Sequence, residues 1–86
     1  MNSQDITRAI ETRVAPEYGL WTIGITGNPD TRKETYKNNG ADVHDWLAWP
    51  ADSVDIARTV ENRFRDEGMK GTEGEDVGNP TYVFIF

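Results

Sequence analysis

The chain of 86 residues holds 9 Lys and Arg against 15 Asp and Glu, one histidine and no cysteine, a size that fits one domain with a small core. Lacking cysteine, it can build no disulfide framework, thiolate metal site or Cys nucleophile, a usage in keeping with a reducing, cytoplasmic setting, and His44 alone cannot make a multi-His zinc site. A formal net charge of -6 disfavours an electrostatic nucleic-acid binder, because phosphate affinity comes from clustered Lys and Arg.

Ser3 can cap a first helix over residues 3–15, with Asp5 in its first turn complementing the helix dipole. Ile6, Ala9, Ile10 and Val14 recur at helical spacing, and Pro16 ends the helix near residue 15. From Leu20 to Thr26 the residues alternate, with Trp21, Ile23 and Ile25 on one face and Thr22, Gly24 and Thr26 on the other, as in a half-buried strand. Asn28 and Pro29 then suit the cap and first position of a short polar helix through Thr31–Lys37, which Asn39-Gly40 terminates. Tyr36 is its sole large apolar group and the natural anchor for docking it on a sheet.

Val43–Trp49 reads as a second strand closed by Pro50. Asp52 with Asp55 resembles a capping box opening the strongest helix, about Ser53 to Glu67, whose stripe is Ile56, Ala57, Val60 and Phe64 and which Gly68 ends. Residues 68–80 are rich in glycine and carry Glu73, Glu75 and Asp76, the pattern of an acidic loop. Thr81–Phe86 reads as a final strand carrying Phe84 and Phe86.

The order α-β-α-β-α-β predicts an α/β (α+β) domain in which helices flank a three-stranded, mainly antiparallel sheet. Three Trp, three Tyr and three Phe supply much of the core at low entropic cost. No apolar run approaches the ~20 residues needed to span a bilayer, and residues 1–13 lack a signal-peptide core, so no membrane partner is expected.

The run Trp21-Thr22-Ile23-Gly24-Ile25-Thr26 through Arg32 to Tyr36 resembles the second half of the GIY-YIG nuclease motif. There a strand ending in Tyr-Ile-Gly-x-Thr precedes a helix with an Arg and, four residues later, a His or Tyr. The later strand with Trp46 and Trp49, and the helix with Glu61 at its middle, extend the likeness to residues 20–67. Thr22 stands where the family has the Tyr of Tyr-Ile-Gly, and a helix replaces the first Gly-Ile-Tyr strand. The C-terminal strand could fill that vacant position from the other end of the chain and bring Tyr82 near the site.

The resemblance implies a metal-dependent endonuclease that hydrolyses phosphodiesters. Glu61 would hold Mg²⁺ or another divalent cation, Arg32 would neutralise charge building on the phosphate, and Tyr36 would occupy the His/Tyr position, with Tyr82 beside it. Arg32 and Tyr36, four apart, share a helix face. Against this chemistry stand simpler roles: Glu61 paired with Arg58 or Arg65, Arg32 a solvated charge, His44 a surface residue, Tyr82 a strand residue and the tryptophans core. The alternative function is an inactive GIY-YIG-like acidic protein, an adaptor or inhibitor whose partner is another protein rather than nucleic acid.

Overall fold

Each helix starts where a short polar side chain caps it. In the structure, a computed structural model that describes residues 1–72 and 79–86, α1 runs Ser3–Val14, α2 Pro29–Asn38 and α3 Val54–Asp66. The cap of α1 is Asn2 rather than Ser3: its Oδ1 accepts from the Asp5 N–H at 2.8 Å. Asn28 caps α2 as expected, accepting from the Thr31 N–H at 3.1 Å. In α3 the cap is Ser53, whose Oγ accepts from the Ile56 N–H at 3.2 Å, in place of an Asp52–Asp55 box. Asn2 and Ser3, like Asp52 and Ser53, are adjacent residues equally able to cap. The one whose backbone is extended just before the first turn takes the role.

Among the described residues there are four strands: β1 Thr22–Thr26, β2 Leu47–Pro50, β3 Lys70–Gly71 and β4 Tyr82–Ile85, in the spatial order β2-β4-β1-β3. The broad α/β class is as expected, but the sheet is four-stranded and mixed rather than three-stranded. β4 pairs antiparallel with both β1 and β2, whereas β3 runs parallel to β1, Thr22 opposite Lys70 and Ile23 opposite Gly71. A two-residue strand ending in glycine has no alternation to read, so the sequence of 68–80 does not distinguish it from a loop. Within that stretch, positions 73–78 lie outside the described residues.

Two strand starts move as well. Tyr18–Leu20 forms a 3₁₀ turn, so β1 begins at Thr22. The Trp46 N–H donates to the Val43 carbonyl, closing a turn, and β2 begins at Leu47 rather than Val43. The β1–β4 register fixes the sheet faces: Ile23 lies opposite Ile85 and Ile25 opposite Val83, while Gly24 lies opposite Phe84. The first set faces the main core, where α1 brings Ile6, Ile10 and Val14, and α3 brings Ala57, Val60 and Phe64. The second face takes α2. Among the described residues no helix is long and apolar enough to cross a membrane.

Candidate functional site

Arg32 and Tyr36 meet, as their spacing on α2 requires. Arg32 Nη2 lies 3.5 Å from Tyr36 Oη, and its guanidinium carbon sits 5.6 Å from the Tyr36 ring centre and 5.9 Å from that of Phe84. Such cation–ring contacts are worth about 0.5–1 kcal/mol where water reaches them. Tyr36, half-buried, is the anchor of a helix that has no fully buried residue. Its ring centre lies 4.8 Å from that of Phe86, 5.9 Å from Phe84 and 6.2 Å from Trp46.

Trp46 fills the space beside these rings, stacked on Phe84 at 4.5 Å with planes 12° apart and on Phe86 at 5.4 Å. The α2 face is therefore a second cluster, built of aromatic rings and separate from the core that α1 and α3 form on the aliphatic face of the sheet. Part of its signal is in the sequence, where Tyr82, Phe84 and Phe86 recur with period two; the β1–β4 register puts them on the face of Gly24. Tyr82 lies at the end of this row, half-buried, opposite Thr26 on β1 and Pro50 on β2. The C-terminal strand does lie antiparallel beside β1. Thr22 shares the Gly24 face by the same alternation, and its backbone exchanges both hydrogen bonds with Phe86, at 2.7 and 3.0 Å.

Glu61 is placed differently. Its helix, α3, covers the aliphatic face through Ala57, Val60 and Phe64, so the sheet stands between that helix and the one bearing Arg32 and Tyr36. Burial raises the Glu61 carboxyl above its ordinary range, and the Arg65 and Arg58 guanidiniums only partly offset this. The predicted constellation thus divides: Arg32, Tyr36 and Tyr82 share one face, and Glu61 belongs to the helix over the other.

Around Glu61 the Arg65 and Arg58 guanidiniums favour its charged form and would compete with a divalent cation for the carboxylate. Among the described residues no group of three or more His, Cys, Asp and Glu side chains converges. His44 is exposed beside a turn in which its N–H donates to Asp42 Oδ1 at 3.0 Å. No protein-family model, curated protein or solved structure matches the chain.

Proposed function

We propose that this chain is a small acidic protein-binding domain, an adaptor or inhibitor, that hydrolyses no phosphodiester on its own. The observation that carries this reading is the sheet between α2 and α3. Arg32 and Tyr36 lie against Phe84 on one face, whereas Glu61 rides on the helix over the other. A metal-bound phosphate needs its cation, its guanidinium and its proton acceptor around one point. Rings of Trp46, Phe84 and Phe86 fill the ground beside Tyr36, and the net charge of -6 works against contact with a phosphate backbone.

The test is a nuclease assay on plasmid and on single- and double-stranded oligonucleotides in Mg²⁺ and in Mn²⁺. The expected result is equal background cleavage by the wild-type chain and by Glu61→Ala. Metal-dependent cleavage that disappears in both Glu61→Ala and Arg32→Ala overturns the reading.

A metal-dependent endonuclease is the second reading, favoured by the contact between Arg32 and the Tyr36 hydroxyl and by a half-buried carboxyl whose pKa burial raises. In it Glu61 would hold the divalent cation, Arg32 would meet the phosphate, and the Tyr36 or Tyr82 phenol would accept a proton from the attacking water. A Mg²⁺ titration followed by NMR separates the two, since only the second predicts shifts centred on Glu61.

A further inference from the structure

An exposed leucine, two half-buried aromatic rings and two carboxylates meet in a concave surface of the molecule. Where the Tyr18–Leu20 turn meets the start of β1, a cleft of about 240 Å³ is lined by Leu20, Trp21, Thr22, Asp42, Asp45 and Phe86. Leu20 is 74% exposed, the least buried of the large apolar residues among those described. Trp21 and Phe86 are half-buried, and Asp42 and Asp45 are exposed at the rim. That volume falls below the roughly 300–1,000 Å³ of small-molecule sites and suits one long side chain.

We infer that this cleft binds a basic peptide segment of a partner protein, taking an arginine side chain between Trp21 and the two aspartates, with an apolar neighbour resting on Leu20. The inference deepens the protein-binding reading and rests on it. Its chemistry is already displayed by the chain itself: the Arg13 guanidinium sits 5.9 Å from the Trp21 ring centre and 3.4 Å from Asp45 Oδ1. That arrangement joins an aromatic face and a carboxylate around one planar cation, the pairing that favours arginine over lysine.

The Arg13–Asp45 pair leaves both side chains more than half exposed, so it is open to exchange with a partner's cation. Asp42 spends one oxygen on the His44 N–H, and a carboxylate has room for further donors. The overall charge of -6 favours encounter with a basic segment, and exposed Asp42 and Asp45 place negative charge at the rim. An exposed leucine beside an aromatic wall supplies the apolar contact that charge alone cannot, since rim charges by themselves give little affinity.

The experiment is an NMR titration of the isotope-labelled chain with a blocked six-residue peptide alternating arginine and leucine. A matched peptide with glutamate for arginine serves as control. Shifts should concentrate on the amides of Leu20, Trp21, Asp42, Asp45 and Phe86 and on the Trp21 indole N–H. Affinity should fall by about five-fold or more in the double variant Asp42→Asn/Asp45→Asn, and again in Leu20→Ser, and should weaken with added salt. All three substituted side chains are exposed, so spectra of the free variants should match the wild type elsewhere.

Equal shifts with the glutamate peptide, unchanged affinity in the double aspartate variant, or shifts centred elsewhere would overturn the assignment. So would a single-stranded oligonucleotide binding these residues in preference to the peptide. The nuclease assay is a separate arm: cleavage with the cleft intact sinks the non-catalytic reading alone, and lost peptide binding without cleavage sinks the cleft alone.

Discussion

Gly24 lies directly across from Phe84 in the β1–β4 pair, and a Cβ built at residue 24 would fall 2.5 Å from Phe84 Cζ and 2.7 Å from Thr72 Oγ1. Residue 24 is glycine because a ring and a hydroxyl already fill the space above its backbone. Gly24→Ala should therefore destabilise the fold by about 1–3 kcal/mol through overpacking, read as a lower urea midpoint. In a Phe84→Leu background the same substitution should cost less, since the smaller side chain vacates the space. An unchanged midpoint in the wild-type background would show that the ring can move aside.

Tyr36 is the bolt of α2. Removing its ring deletes contacts to Trp46, Phe84 and Phe86 at once, from a helix with no buried residue. Tyr36→Ala should cost about 2 kcal/mol and speed amide hydrogen exchange along α2 more than along α1 or α3. Lys33→Ala, on the exposed side of the same helix, should leave stability within about 0.5 kcal/mol. Exchange rising equally in all three helices would place the bolt elsewhere.

Helix caps offer a local check. Asn2→Ala and Ser53→Ala each remove a side-chain acceptor from a helix-start N–H, so each should cost about 1 kcal/mol. Ser3→Ala should stay within about 0.5 kcal/mol, because the cap belongs to its neighbour. Thermal or urea unfolding of the three variants measures the contrast directly.

The Glu61 carboxyl sets a pH dependence whose direction follows from burial. Its folded pKa is raised above the ordinary 4.5, so folding disfavours the charged form. The associated stability is complete below the unfolded pKa and is lost as pH climbs through the raised folded value. Glu61→Gln removes the titration. Its stability relative to wild type should therefore improve from about pH 4 upward and level off above the raised pKa, as measured by urea midpoints across that range. A difference that stays constant with pH would mean that the folded chain leaves the pKa of this carboxyl unraised, burial and the two guanidiniums cancelling.

Much of the scaffold is legible in the sequence. The stripes of α1 and α3 and the alternation of β1 and β4 are local patterns, written in the order of side chains along one segment. The meeting of Arg32 with Tyr36 was legible for the same reason, since two residues four apart on a helix share a face whatever surrounds them. By contrast β3 is two residues long and carries no period, and Leu20, in step with the strand that follows, belongs to a turn that leaves it in water.

What side-chain order determined by itself is the set of elements and the face each one must bury. Only the tertiary structure decided that β4 enters between β1 and β2, that α1 and α3 share one side of the sheet and that α2 holds the other. Those choices depend on contacts between residues far apart in the chain, where packing against a particular neighbour outweighs any local preference. Glu61 illustrates the division: its position on a helix is written in the sequence, and the sheet face beneath that helix is not.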